Sequence, residues 1–284
     1  MSRSPLSGSA ADGIVLLDKP AGASSRTAAG QVARALGARK FGHAGTLDPF
    51  ASGLLVVLLG RACRTQDWFT LLPKEYEASA RLGAVSTTGD PEGEITETGR
   101  LPESPLRLPT GKVRQHPPAF SAVHVGGRRA YERARAGEEF STPEREVEIY
   151  EFAEAGRSGN EVELRIACSS GTYVRSLVSD LGDAYTTQLR RTAIGPFRVE
   201  DADPVRVLAI EEALTFMRKA TLEPVAAKAA THGRPVEPGA VSEPAWEGPG
   251  GPPGEILLVD DGGAVAIARR EEGGRLKPVV GFRE

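Results

Sequence analysis

The hydrophobic pattern of the chain changes period several times. "GIVLLDKP" (13–20) is a short aliphatic run stopped by Pro20, the mark of a strand. "SSRTAAGQVARALGA" (24–38) then reads as a helix with Ser24 or Ser25 at its N-cap. "GLLVVLLG" (53–60) is unbroken aliphatic sequence between glycines, which predicts a strand covered on both faces. "EYEASARLG" (75–83) alternates, placing Tyr76, Ala78, Ala80 and Leu82 on one face, and "TTGDPEGE" (87–94) follows as a turn. "REVEIYEF" (145–152) and "NEVELRIAC" (160–168) alternate in the same way. In "TYVRSLVSDLG" (172–182) the period becomes helical: Val174, Leu177, Val178 and Leu181 form one stripe, and Gly182 can close the end.

"PVRVLAIEEALTFMRKA" (204–220) predicts a second helix. After it, "RPVEPGAVSEPAWEGPGGPPGE" (234–255) turns to Pro and Gly. The last stretch, 255–282, reads as short strands joined by "DDGG" and "EEGG" turns, a small all-β module. Strands and helices mix without regular βαβα alternation, so an α+β fold is expected, with a mixed, largely antiparallel sheet. A boundary near residue 222 would divide the chain into a catalytic unit, 10–222, and a C-terminal module, 223–284. No repeat of fixed period is visible.

Composition adds a class. With 40% hydrophobic and 26% charged residues, 33 Gly and 21 Pro, the chain is a loop-rich globular protein. Its two cysteines, Cys63 and Cys168, are too few for a disulfide framework, which fits a reducing cytoplasm. The N-terminal stretch has no apolar signal region, and the longest aliphatic run, Leu54 to Leu59, is too short to span a bilayer. Net charge is −3 but unevenly spread. Between Lys112 and Arg135 six Lys or Arg face Glu132 alone, whereas five acids face one Arg between residues 86 and 104. A basic segment on an acidic chain is what a specific polyanion site looks like, and a solvated arginine-rich face would carry the same count.

The chemistry narrows to one carboxylate. Walker A, dinucleotide-binding, nucleophile-elbow and zinc-protease patterns are missing. The four histidines, His43, His116, His124 and His232, are never within a helical turn of one another, so no metal site is expected. What remains is Asp48 in "FGHAGTLDPFASGLLVVLLG" (41–60), charged, followed by a proline and set before the most apolar run. Such a group can act as nucleophile or base without metal or cofactor if a cation and desolvation set its ionisation.

"GHAGTLDPFASGLL" closely resembles the active-site motif of the TruB-type tRNA pseudouridine synthases. Three more segments agree in order: "LLDKPAGASS" (16–25), "KEYEASARLG" (74–83) and "CSSGTYVRSLVSDLG" (168–182). A fifth, "PPAFSAVHVGGRRAYERARAGEEF" (117–140), resembles the RNA-clamping thumb of the stand-alone enzymes. The resemblance runs from about residue 14 to 198. It implies that Asp48 is the catalytic residue, that Arg175 holds it ionised, and that Tyr76 stacks on a uracil flipped out of the RNA. Tyr173 and Leu189 frame the base, His43 contacts the opened RNA loop, and Lys19 and Pro20 support the pocket. Arg128, Arg129 and Arg133 of the thumb grip the RNA backbone. The family's glycine-rich turn before its "LRR" is replaced here by "DAYTTQ", and Phe120 and His124 stand where tyrosine and lysine are common.

The implied reaction isomerises the T-loop uridine (position 55) of tRNA to pseudouridine. No atom is gained or lost, so no cofactor is needed. The implied partner is the T-arm of tRNA, met by a monomer with no obligatory protein partner and no membrane. The tail is placed like a PUA-like RNA-binding module. A guide-RNA-dependent, dyskerin-like synthase and a non-catalytic tRNA-folding protein of the same fold are the alternatives; the thumb favours the stand-alone type.

Overall fold

A computed structural model describes residues 11–121, 123–242 and 254–283 of the chain. The first strand, β1 (Gly13–Lys19), leads to α1 (Ser25–Ala35), capped by Ser24, whose hydroxyl accepts the Thr27 N–H. Ala28, Ala29, Val32 and Ala33 are buried, one face of the helix as its spacing predicts. Then follow β2 (Phe41–Ala44), β3 (Ser52–Leu59), α2 (Gln66–Leu71) and β4 (Lys74–Leu82). A small hairpin, β5 (Ala84–Ser86) and β6 (Ile95–Glu97), precedes β7 (Gly111–Gln115). The thumb holds β8 (His124–Val125), β9 (Arg128–Arg129) and α3 (Ala130–Arg135). Beyond it come β10 (Arg145–Ser158), β11 (Glu161–Cys168), α4 (Val174–Ser179), β12 (Ala184–Ile194) and β13 (Phe197–Arg198).

These strands make one nine-stranded mixed sheet, ordered β1-β3-β12-β4-β11-β10-β7, with β2 beside β3 and β13 beside β12. All its pairings are antiparallel except the short parallel contact of β12 with β3, where Arg190 faces Ser52 and Arg191 faces Gly53. That crossing requires a glycine. Gly53 has φ +105°, and a Cβ there would stand 2.2 Å from the Arg191 carbonyl oxygen. β3 is buried along nearly its whole length, as its continuous apolar run implies. The alternating faces of β4 and β11 are equally plain, with Ala78, Ala80, Leu82, Val162, Leu164 and Ile166 inward.

The helix expected over 204–220 is not formed. Only one turn, α5 (Ile210–Ala213), is helical, and the chain then extends into β14 (Arg218–Leu222). Long-range contacts override local propensity here. Phe216 is buried with its ring 5.2 Å from Phe69 and 6.3 Å from Phe197, and β14 pairs in parallel with β16 (Glu255–Asp260). The stretch 255–282 holds only strands and turns, as its pattern implies, but the module expected from 223 also contains a helix: α6 (Pro224–Thr231) starts at a proline and buries Ala226, Ala227 and Ala230. With β15 (Val241–Ser242), β17 (Gly263–Arg270) and β18 (Leu276–Gly281) the second sheet has five strands, ordered β15-β14-β16-β17-β18. The "DDGG" and "EEGG" segments do join its last three strands. Half of the Pro/Gly-rich run, 243–253, lies outside the described residues.

The two sheets share a core. Ile14, Leu54, Leu58, Phe69 and Phe197 from the first half pack with Phe216, Met217, Leu257, Ile267 and Phe282 from the second. Each such side chain contributes about 1.5–3 kcal/mol by leaving water. A separate cluster, including Ala78, Leu164, Ile166, Leu177 and Val178, supports the other end of the large sheet, under α4. Among the described residues no helix is long and apolar enough to cross a membrane.

Candidate active site

Asp48 lies in the loop between β2 and β3, and that loop is tied down from below. The Ser25 hydroxyl, at the start of α1, donates to Leu47 O at 2.9 Å and accepts from Leu47 N at 2.8 Å. The fully buried Lys19 ammonium donates to Ala23 O at 2.7 Å, Pro20 O at 3.0 Å and Pro49 O at 3.4 Å. Gly22 N donates to Pro49 O at 2.7 Å. The end of β1, the start of α1 and the Asp48 loop are therefore bonded to one another. Lys19 and Pro20 belong to this support.

Across the cleft, α4 presents Arg175. Its side chain is 3% exposed, and the Asp48 side chain is 30% exposed, open toward the cleft. Nη2 donates to Asp48 Oδ1 at 3.1 Å, and Nε lies 2.8 Å from Oδ2 as an ion-pair contact, its N–H not aligned for a hydrogen bond. Nη1 donates to Thr88 O at 2.7 Å and lies 3.1 Å from Asp90 Oδ2, and Nη2 also donates to Phe120 O at 2.8 Å. The fork thus spans two carboxylates and two backbone carbonyls, which a lysine could not do. Burial pushes the Asp48 carboxyl above its usual range, Arg175 opposes this, and Asp90 adds to the rise.

The sequence places Asp90 in a turn and among the acids of 86–104. Its side chain is 5% exposed, and it accepts the Thr88 hydroxyl at 2.5 Å and the Glu92 N–H at 3.0 Å. Local sequence held no signal for its role, because the 86–94 turn meets α4 only in the folded chain.

Asp48 opens on a cavity of about 250 Å³ lined also by Tyr76, Tyr173, Leu189, Lys74 and Arg191. Tyr76 on β4 and Leu189 on β12 are brought together because Leu189 pairs with Ala78. Burial pushes the Tyr76 phenol up, so it stays neutral, while the Arg191 guanidinium opposes the rise. Tyr173 caps α4 and is clamped by Gln115: its N–H donates to Gln115 Oε1 at 2.7 Å, and Gln115 Nε2 donates to its carbonyl at 3.3 Å. His43, on β2, does not line this cavity. Its Nδ1 is buried with no hydrogen-bond partner among the described residues, and burial with Arg191 and Arg26 pushes the ring down, toward neutrality. Lys74 and Arg191 were not singled out, although the pattern carries a sign of them. Each is a charged residue at an inward position of an alternating strand, in phase with Tyr76 and Leu189 respectively.

The thumb joins the site at its root: Phe120 receives Arg175, and Ser121 lines the cavity. Its arginines stand apart from the cavity. Arg128 and Arg133 share Glu138, at 2.6 and 2.7 Å, while Lys112 and Arg114 pair with Glu146 and Glu144 at 3.0 and 3.4 Å. The basic excess counted along 112–135 is thus partly cancelled by glutamates from 138–146. Arg129 and Arg135 instead flank the Tyr131 ring, at 6.0 and 5.7 Å. Among the described residues no group of three His, Cys, Asp or Glu is placed to hold a metal ion.

The architecture and sequence have known counterparts. The chain is similar in fold to solved structures of a Cbf5–Nop10–Gar1 complex (TM-score 0.67, 24% identity, 95% of this chain and 84% of that one). Another is an H/ACA RNP bound to a substrate RNA containing 2′-deoxyuridine (TM-score 0.65, 22% identity, 95% and 84%). It is 41% identical to tRNA pseudouridine synthase B of Thermobifida fusca, over 96% of this chain and 99% of the relative. It is 38% identical to the protein of that name from Corynebacterium aurimucosum, over 94% and 95%. Residues 33–174, which include Asp48, Tyr76 and Asp90, match the model of the TruB family pseudouridylate synthase N-terminal domain. By this match and by its near full-length identity to these relatives, the chain belongs to the TruB family of pseudouridylate synthases.

Proposed function

We propose that the chain isomerises the T-loop uridine (position 55) of tRNA to pseudouridine, with Asp48 as the catalytic carboxylate. The observation that carries this reading is the Asp48–Arg175 ion pair at the mouth of a cavity walled by Tyr76, Tyr173 and Leu189. A stacked uridine cannot reach such a recess, so it is flipped out at a cost of roughly a few kcal/mol. Tyr76 then stacks on the base, and Tyr173 and Leu189 frame it. Arg175 keeps Asp48 ionised and aimed against the pull of burial. His43, outside the cavity wall, contacts the RNA rather than the reacting base. Asp48 acts at C1′, at C6 or on the 2′ proton, and the rearrangement conserves every atom, so no cofactor takes part.

The chain divides near residue 222 into a catalytic unit, about residues 10–222, and a PUA-like RNA-binding module, 223–284, whose sheet also takes in β14 (Arg218–Leu222) from the near side of that boundary. The thumb, about 117–140, holds the T-arm through Arg128, Arg129 and Arg133. The enzyme works as a cytoplasmic monomer without a protein partner, in keeping with two free cysteines. A guide-RNA-dependent synthase, which shares the catalytic motifs, is the second reading. One experiment separates the readings: purified protein and an unmodified tRNA transcript, without guide RNA or cofactor, scored for pseudouridine at position 55. Formation there supports the stand-alone enzyme. Formation only on adding a guide RNA supports the second reading, and no formation with intact binding supports the non-catalytic one.

A further inference from the structure

The cavity has two unlike walls. On one, Arg175 is paired with Asp48 at the cavity and with Asp90 behind it, so its charge is more than matched by carboxylates. On the other, Lys74 is 5% exposed and Arg191 1% exposed, and among the described residues neither has a carboxylate within ion-pair distance. Backbone carbonyls hold them. The Lys74 ammonium donates to Thr70 O and Leu72 O, while Arg191 Nε donates to Leu54 O at 2.8 Å and Nη2 to Gly45 O at 2.9 Å. They converge beneath Gly45, where a Cβ would stand 3.4 Å from Arg191 Nη1 and 3.7 Å from Lys74 Cε. Gly45 has φ +76°, so both the conformation and the space call for a glycine. Carbonyls orient these cations but do not neutralise them. Two buried positive charges without a counter-anion are costly in the free protein, and an anion formed in the cavity would relieve that cost.

We propose that Lys74 and Arg191 form a cationic wall that stabilises the negative charge the uracil ring carries during the reaction. This rests on the reading that Asp48 acts on a flipped uridine. Attack of the carboxylate at C1′, or transfer of the 2′ proton to it, breaks C1′–N1 heterolytically and leaves the bonding pair on N1, shared with O2 and O4. Attack at C6 pushes a pair through C5 onto O4. In each route Asp48 gives up its charge, and the pyrimidine takes it. C5 then bonds to C1′ as Asp48 is released, its ester to C1′ breaking or its 2′ proton returning; in the C6 route C1′–N1 breaks while the base is held on Asp48 and the C6 ester breaks last. C5 loses its proton and N1 gains one, so composition is unchanged. One negative charge therefore moves from the Arg175 side of the cavity to the Lys74 and Arg191 side, where Arg191 is a fixed cation and the growing charge holds Lys74 protonated. Burial and Arg191 together push Lys74 down to about 7 in the free protein. An anion beside it raises that value again.

The test uses the full chain and tRNA transcripts carrying either uridine or 5-fluorouridine at the target position. Fluorine makes the pyrimidine the more acidic leaving group, so it needs less help from the wall. Single-turnover glycosidic scission at saturating enzyme should fall roughly 100-fold with uridine in Lys74→Met. With 5-fluorouridine the deficit should shrink several-fold, and Lys74→Arg should recover part of the uridine rate. Transcript affinity should stay within about twofold of wild type, because the wall acts on the reacting base. An equal deficit for both leaving groups overturns the proposal. So does a loss confined to affinity, which would assign the cations to an RNA phosphate.

If Lys74→Met does not melt cooperatively, Arg191→Gln removes the neighbouring charge and reads the same ratio. The wild type supplies a third reading. The titratable groups facing Lys74 are Arg191 on β12 and Cys168 on β11, whose thiol is pushed up to about 11 and stays neutral. The uridine rate should therefore drop as pH rises past the Lys74 range, with a shallower drop for 5-fluorouridine. Matching profiles would contradict the proposal. Failure of the Asp48 reading would show separately, as turnover by Asp48→Asn.

Discussion

The thumb and the C-terminal sheet are both additions to the nine-stranded sheet, and they are attached in opposite ways. The C-terminal sheet is bonded through the core: Phe216, Met217, Leu257, Ile267 and Phe282 pack directly on Ile14, Leu54 and Phe69. Polar ties surround that contact, with Trp68 Nε1 donating to Glu255 at 2.6 Å and Arg61 and Arg64 donating to the carbonyls of Phe282 and Gly281, both at 2.5 Å. The thumb buries little. Among its described residues Ala130 is fully buried, its hairpin is bonded mainly to itself, and it is tied to the rest of the chain where Phe120 O accepts from Arg175 of α4 and Pro117 O accepts the Thr142 hydroxyl. One addition is part of the fold's stability, and the other adds little to it and stands out as surface.

Deleting residues 223–284 is the most damaging change expected. It strips β16 from β14 and opens the apolar face formed by Phe69, Phe197 and Phe216. The truncated chain should be insoluble or lack a cooperative melt, because more core side chains are exposed than a margin of about 5–15 kcal/mol can absorb. A soluble fragment that melts cooperatively and keeps its single-turnover rate would make the tail an independent module after all.

Asp48→Asn should leave the melt and tRNA binding nearly intact while lowering the single-turnover rate on the order of 10⁴-fold, the scale of losing an essential group. Arg175→Lys should be milder yet severe, about 100-fold, because the lysine keeps the charge but cannot reach Asp48, Asp90, Thr88 O and Phe120 O together. Its melting temperature should also fall, since a buried carboxylate left without its partner costs about 3–5 kcal/mol. Activity of Arg175→Lys near wild type would show that any positive charge at that place suffices.

The pH profile should show the same buried site. Catalysis needs ionised Asp48, and burial raises its pKa, so the rate at saturating enzyme should be lost on acidification at a pH above the ordinary carboxylate range. The stability sign is opposite. A carboxyl raised in the folded state holds its proton more readily there than in the unfolded chain, so Asp48 itself disfavours folding once ionised, and that penalty is relieved as pH falls through the raised value. Activity should therefore fail before the fold does. Coincident loss of rate and of cooperative melting would remove Asp48 as the origin of the acidic limb.

How much of this was legible follows from the range of the interactions. β3, β4 and β11 were readable because burial on one or both faces writes its period directly into the sequence. The segment 204–220 was misread because Phe216 and Met217 answer to a core assembled from both halves of the chain, and not to their own helix stripe. Asp48, Tyr76, Tyr173, Leu189 and Arg175 were named through the family's motifs, and the structure brings all five to one cavity. Asp90 was invisible, since its partner lies on α4, far along the chain. Lys74 and Arg191 were visible in principle as charges on the apolar face of a strand, a placement that costs too much to occur without a use.

The smallest effect belongs to the thumb, and it refines the expectation drawn from charge alone. Arg128 and Arg133 are held by Glu138, so a phosphate must compete with that carboxylate, whereas among the described residues Arg129 and Arg135 form no ion pair, lie over the face of Tyr131, and Arg135 is also in the field of Glu92. Replacing Arg129 and Arg135 together by alanine should weaken tRNA binding and flatten the dependence of log affinity on log salt by roughly one to two. Replacing Arg128 and Arg133 should flatten it less, because two cations and one shared acid leave less charge for RNA. Glu138→Gln should do the reverse, steepening the slope and tightening binding at low salt. In all three variants the single-turnover rate at saturating enzyme should hold, since none of these side chains lines the cavity. Equal slopes for the two double variants would mean that RNA binding breaks the Glu138 pairs at no net cost, and that all four arginines act as one surface.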